Sequence, residues 1–165
     1  MATTEVKVSG LDGVLDLLKS LPPEVVSKRG GPVKRALQKG ARVIAQQAAL
    51  NLARAIDALG QDDYESTGLL LKSLVVTRGK APTSGNGERY LVRIKRKSYQ
   101  RKGAPVTTLK TAQLLEYGSS KQPAEPWLRP AFQAKAGAAV ETTVRELRSE
   151  LDRIVRKLGK KGGLS

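Results

Sequence analysis

LLEYGSSKQPAEPWLRPAF, residues 114–132, stands directly before a long helical pattern and holds the only Trp, the only Phe and three of the eight prolines of a 165-residue chain. Three of the six aromatic residues, Tyr117, Trp127 and Phe132, fall within it. Pro123, Pro126 and Pro130 preset their own φ and push each preceding residue toward extended geometry. Gly118, after Glu116-Tyr117, tolerates positive φ, so a short helix or strand can end there and turn. The segment reads as a rigid elbow that delivers a helix at a set angle. Trp127 and Phe132 are expected to pack under the long helix, and Glu116 to cap or to pair with a cation such as Arg129.

On the C-terminal side of the elbow, Pro130 opens a helix whose apolar stripe is Phe132, Ala136, Val140, Val144, Leu147, Leu151, Ile154 and Leu158. Glu141 with Arg145 and Asp152 with Arg156 have i,i+4 spacing, each worth a few tenths of a kcal/mol. Gly159 is expected to end this helix, leaving residues 160–165 as a basic flexible tail.

Before the elbow, residues 72 to 110 carry 11 basic side chains against one acid, Glu88. Tyr90, Val92 and Ile94 alternate with Arg89, Leu91, Arg93, Lys95 and Lys97, which predicts a strand with one apolar and one basic face. Residues 80–87 read as the loop of a hairpin joining Leu74–Gly79 to Glu88–Lys97, and Ser98 to Thr108 as a second, mobile basic loop.

Further back, Pro32 starts a long helix in which Val33, Leu37, Ala41, Ile44, Ala48, Leu52, Ile56 and Leu59 keep helical rhythm, with Gly60 as its C-cap. Lys34, Arg35, Lys39, Arg42 and Arg54 lie on its other face, read as a solvated face rather than an anion contact. Residues 66–74 give a short helix with a Ser or Thr cap, followed by a strand from Val75. At the N-terminus residues 4–8 alternate like a short strand or arm. Ser9 with Asp12 reads as a capping box opening a short amphipathic helix that Pro22-Pro23 stops. The fold class is therefore α+β: two long helices packed on a small antiparallel β-sheet with an extended basic hairpin, in a single domain over 1–165 with residues 1–9 as an N-terminal arm or strand.

Composition narrows the chemistry. With 30 Lys plus Arg against 15 Asp plus Glu the net charge is +15, a field that draws phosphate backbones or acidic protein surfaces. Cysteine and histidine are both absent, which removes disulfides, thiolate nucleophiles, the usual zinc sites and His-based general bases. No glycine-rich phosphate loop appears, and Ser66 and Ser73 read as cap and turn residues. Asp62, Asp63 and Glu65 in the loop after the long helix are a weak Mg²⁺ candidate, since such a site needs ligands from elsewhere. The expectation is a non-enzyme with no cofactor and no metal. No stretch approaches the roughly 20 apolar residues of a bilayer span and no leader pattern opens the chain, so a soluble protein made in the cytoplasm, without membrane contact, is expected. Few aromatics accompany the basic zone, which suits phosphate contact without base readout.

The order of elements resembles the neck, or tail-completion, family of long-tailed bacteriophages. The resemblance is carried by Gly-Leu-Asp-x-x-Leu-x-x-Leu (Gly10 to Leu18), Thr-Gly-x-Leu-x-x-Ser-Leu (Thr67 to Leu74), Leu-Glu-Tyr-Gly-Ser (Leu115 to Ser119) and Pro-Ala-x-Pro-Trp-Leu-Arg-Pro-Ala-Phe (Pro123 to Phe132), and it covers nearly the whole chain. The basicity of residues 72 to 110 departs from the family's pattern. The resemblance implies a structural virion protein at the joint between head and tail, assembled in the host cytoplasm as a ring around the DNA or tail channel. It implies a homo-oligomer, a hexamer first, joined to head-completion, tail-terminator or tail-tube proteins. In that setting Arg89, Arg93, Lys95, Lys97, Arg101 and Lys102 would meet DNA or acidic neighbours. Tyr117, Trp127, Leu128, Arg129 and Phe132 would form a subunit interface or the core of the elbow. The competing readings are a free-standing nucleic-acid-binding protein without sequence preference and a small basic nuclease using Asp62, Asp63 and Glu65.

Overall fold

The computed structural model describes residues 31–58, 68–80, 88–101 and 103–162. Eight elements follow one another: α1 (Gly31–Asp57), α2 (Leu69–Lys72), β1 (Leu74–Arg78), β2 (Tyr90–Ile94), β3 (Ser98–Arg101), β4 (Ala104–Thr107), α3 (Thr108–Tyr117) and α4 (Leu128–Gly162). Strands β1 and β2 pair, β3 and β4 pair separately, and the class is α+β as the sequence implies. The N-terminal strand and helix, the acidic loop with Asp62, Asp63 and Glu65, the hairpin loop 81–87 and Lys102 lie outside the described residues.

The chain divides into two compact units. One comprises residues 41–77 and 91–136. Its core is Ala48, Leu52, Ala55 and Ile56 of α1, Leu70, Ile94, Ala112 and Leu115 of α3, Trp127, and Ala131 of α4. Leu71, Leu74 and Leu128 pack against it. The expected stripe of α1 holds here, because Ala48, Leu52 and Ile56 are buried on one side of the helix.

The other unit takes in, of the described residues, 31–40, 78–80, 88–90 and 137–162. Ala36, Leu147 and Leu151 form its core, with Val33 and Val144 beside them. In this part of α1 the buried positions are Ala36 and Gly40, one residue away from the expected Leu37 and Ala41. The reason is a close helix crossing. A Cβ on Gly40 would stand 2.7 Å from the Ala139 carbonyl oxygen and would overlap Thr143 Oγ1, so only glycine lets the two backbones approach this far. Lys34, Arg35 and Lys39, expected on a solvated face, instead pair within this unit with Glu88, Glu150 and Glu146.

Several expectations need correction. Residues 98–101 and 104–107 form an antiparallel pair, with Ser98 opposite Thr107 and Tyr99 opposite Val106, where a mobile loop was expected over 98–108. Gly103 supplies the turn with φ of 78°, and the Tyr99 hydroxyl meets Thr111 Oγ1 at 2.6 Å. Helix α2 starts on Gly68 in a left-handed conformation, without the expected Ser or Thr cap. Helix α4 runs through Gly159 to Gly162, so residues 160–162 are helical rather than tail; one glycine costs about 1 kcal/mol in a helix and does not by itself stop it. The pairs Glu141–Arg145 and Asp152–Arg156 do not form among the described residues; the acids of α4 that bond are Glu146, to Lys39, and Glu150, to Arg35 at 2.6 Å and Arg153 at 3.4 Å.

Candidate assembly site at the proline elbow

The elbow is built on helix α3. Thr107, in extended conformation, caps it by accepting from the Lys110 amide at 3.3 Å. Gly118 closes it at φ of 73°, and its amide donates to the Leu114 carbonyl at 2.8 Å. A side chain at 118 would press on the Ala124 amide at 2.8 Å and the Gln122 carbonyl at 3.0 Å, so glycine is required twice over, by conformation and by space. The chain then forms a tight bridge between Ser119 and Gln122, and Glu125 returns its amide to Leu115 O at 2.8 Å.

Glu116 fixes the direction in which the chain leaves. Its carboxylate is buried and accepts from the amides of Trp127 (2.8 Å), Leu128 (2.8 Å) and Arg129 (3.1 Å), the first turn of α4. Arg129 Nε donates to the same carboxylate at 2.9 Å. A negative group on the free amides of a helix start satisfies donors that the helix itself leaves open and opposes the helix dipole. Burial alone would raise the Glu116 pKa; the three backbone amides and the Arg129 guanidinium outweigh it and hold the carboxyl below its ordinary value. Capping and pairing, set out as alternatives in the sequence, occur together on one side chain.

Trp127 is 3% exposed, and all three of its polar groups are satisfied, the amide by Glu116. Its indole N–H donates to Ala112 O at 3.1 Å, and its carbonyl accepts from Asn51 Nδ2 at 3.1 Å. Phe132 is 42% exposed and does not join Trp127 in the core; the buried residue of that turn is Ala131. Tyr117 is 68% exposed, with the Arg129 guanidinium 5.1 Å from its ring centre. Arg129 and Phe132 are three residues apart on α4 and so share a face. Tyr117, Arg129 and Phe132 thus stand outward from a frame that Glu116, Trp127 and Leu128 hold from within.

The expected basic contacts separate into two groups. Arg93 is exposed but donates to Thr77 Oγ1 at 3.0 Å, and Glu88 is occupied by a two-pronged bond from Arg78 at 2.7 and 2.8 Å that depresses its pKa. Arg89 and Lys95 are exposed and Lys97 half-buried. The backbone of Arg101 ends β3, while Lys102 lies outside the described residues. Arg96, Lys72 and Lys110, absent from the sequence-based set, are also exposed. Among the described residues no group of acidic side chains is suited to hold a metal ion, and no helix is long and apolar enough to cross a membrane.

Comparison with protein-family models, with curated proteins and with solved structures finds no match to this chain.

Proposed function

We propose that this chain is a non-enzymatic structural protein of the neck of a long-tailed bacteriophage, completing or sealing the head–tail joint as a homo-oligomeric ring. The observation that carries the reading is the elbow. Two of the four motifs on which the family resemblance rests, Leu115 to Ser119 and Pro123 to Phe132, coincide with a rigid display of Tyr117 and Phe132, exposed aromatics held on a frame locked by buried Glu116. A catalytic segment would turn its polar groups toward a cavity. Here they are spent on the backbone, and the apolar rings are left outward, which is how an assembly surface is organised.

A second copy of the chain is the first partner for that surface, with head-completion, tail-terminator or tail-tube proteins on either side of the ring. Disruption of the gene in its own phage or prophage, followed by electron microscopy, tests the role. Full heads lying apart from tails, or joined particles that leak or fail to eject DNA, are expected. Normal infectious virions would end this reading and favour a free-standing nucleic-acid binder, the alternative supported by the exposed cations Arg89 and Lys95.

A further inference from the structure

Two buried residues with hydroxyl side chains tie three distant segments into one corner within the unit of residues 41–77 and 91–136. Ser73 ends α2, donates through Oγ to Leu69 O at 2.6 Å, and accepts the Lys95 amide on its carbonyl at 2.7 Å. Thr108 begins α3. Its Oγ1 donates to Lys95 O at 2.8 Å and accepts from the Lys97 amide at 2.9 Å, while its own amide donates to Lys97 O at 2.9 Å. Both side chains are fully buried. The tripeptide Lys95-Arg96-Lys97 is therefore fastened on one side to the end of α2, where Lys72 stands, and on the other to the first turn of α3, where Lys110 stands.

Lys72, Lys95, Arg96 and Lys110 are exposed and Lys97 is half-buried. None of the five has an acidic partner among the described residues, whereas Arg35, Lys39, Arg78, Arg129 and Arg153 all do. Fixing like charges side by side without counter-charge opposes folding, so a rigid and uncompensated cluster is suited to an anion supplied from outside. Four of the five are lysines, which are depleted at protein–protein interfaces but act as point charges toward phosphate. Tyr99, the aromatic nearest in sequence, is half-buried with its hydroxyl engaged by Thr111, so it offers no open platform for unstacked bases.

We infer that this corner binds the phosphate backbone of double-stranded DNA without reading bases. The inference deepens the proposed neck role, on which it rests for the DNA that the protein would meet. It assigns Lys72, Arg96 and Lys110 to the contact together with Lys95 and Lys97.

The test is binding of the purified full chain to a short mixed-sequence duplex, followed by fluorescence anisotropy across a salt series. Lys95→Gln/Arg96→Gln/Lys97→Gln is compared with Arg145→Gln/Arg148→Gln/Arg156→Gln, which removes the same charge from exposed positions of α4. Circular dichroism confirms that both are folded, and Lys72→Gln/Lys110→Gln probes the same corner without touching the fastened tripeptide. The corner variants should bind about tenfold or more weakly at physiological salt, and each contact removed should flatten the logarithmic salt slope by about 0.9. The α4 variant should stay close to the parent. Equal weakening by both triple variants would mean attraction to net charge alone and would overturn the inference, as would tighter binding of polyglutamate or of single strands than of duplex. The neck role stands or falls separately: unjoined heads and tails on gene disruption, with no duplex binding at this corner, would retain that role and remove the DNA contact.

Discussion

Arg129 holds Glu116 at two points, donating from Nε to the carboxylate at 2.9 Å and from Nη2 to the Glu116 backbone carbonyl at 3.0 Å. The same guanidinium lies over the Tyr117 ring. One side chain at the start of α4 therefore clamps the end of α3 through backbone, side chain and the neighbouring ring, and the connection between the helices, with Pro123 and Pro126, is closed at both ends. The direction of α4 follows from these bonds.

Glu116→Gln should be the most damaging isosteric change in the elbow. The amide keeps the size but must set its NH2 group against two donors, either the Trp127 and Leu128 amides or the Arg129 amide and Nε, and buried bonds to a charged group are worth about 1.5–3 kcal/mol each. A loss of about 2–3 kcal/mol is expected in urea unfolding. Arg129→Met should cost less, about 1 kcal/mol or below, because its side chain is more than half exposed to water. The opposite ranking would mean that the arginine, not the carboxylate, organises the turn.

Acid should loosen the protein through the same group. A carboxyl whose folded pKa lies below its unfolded value of about 4.3 contributes fully above that pH and loses its contribution as pH falls through the folded value. Glu116 behaves this way, and so do Glu150, bonded to Arg35, and Glu88, bonded to Arg78. The urea midpoint should therefore fall between about pH 5 and about pH 2, and Glu116→Gln should show a shallower fall. An unchanged pH profile in that variant would remove Glu116 as a source of acid sensitivity.

The sequence makes some of these features legible and hides others for identifiable reasons. Helical periodicity is strong in α1 and α4, so both long helices can be read directly, and the concentration of aromatics marks the elbow. The phase of the stripe is harder. Counting from Phe132 selects the larger side chain, yet the turn fixed by Trp127 buries Ala131, and in α1 the approach at Gly40 moves the buried face from Leu37 to Ala36. Helix packing selects small residues at crossings, and hydropathy gives them little weight. The β3–β4 hairpin escapes notice because its strands run only four residues each with polar and basic side chains among them, and α3 is left open between helix and strand, though Gly103 between two short runs is a turn signal and Thr107 a cap signal. Ser73 and Thr108 give no local sign at all, since their partners Lys95 and Lys97 are remote in sequence.

Two glycines should respond oppositely to alanine. At Gly40 the added methyl meets the Ala139 carbonyl and Thr143, and over-packing of this kind costs about 1–3 kcal/mol. At Gly137 nothing lies within 4 Å, so alanine should stabilise α4 by about 0.5–1 kcal/mol through helix propensity and a less free unfolded chain. Thermal melting of the two single variants checks this. A neutral Gly40→Ala would mean that the helices separate at the crossing at little cost.

Trp127 and the exposed aromatics should divide stability from assembly. Trp127→Ala empties a buried site and leaves Ala112 O without its indole donor, so a loss of about 3–5 kcal/mol is expected in denaturant unfolding. Tyr117→Ser/Phe132→Ser changes groups that are already exposed, and the monomer should unfold within about 1 kcal/mol of the parent. If the elbow is the assembly surface, this double variant shifts the protein toward smaller species in sedimentation while keeping its circular dichroism. The cation–π contact makes a finer distinction within the surface. Tyr117→Phe retains a ring under Arg129 and should assemble like the parent, whereas Tyr117→Leu keeps apolar bulk without the ring quadrupole and should weaken assembly if the ring face is what orients Arg129. Equal assembly by the parent and Tyr117→Ser/Phe132→Ser would place the subunit contact elsewhere on the chain and leave the elbow as a purely internal joint.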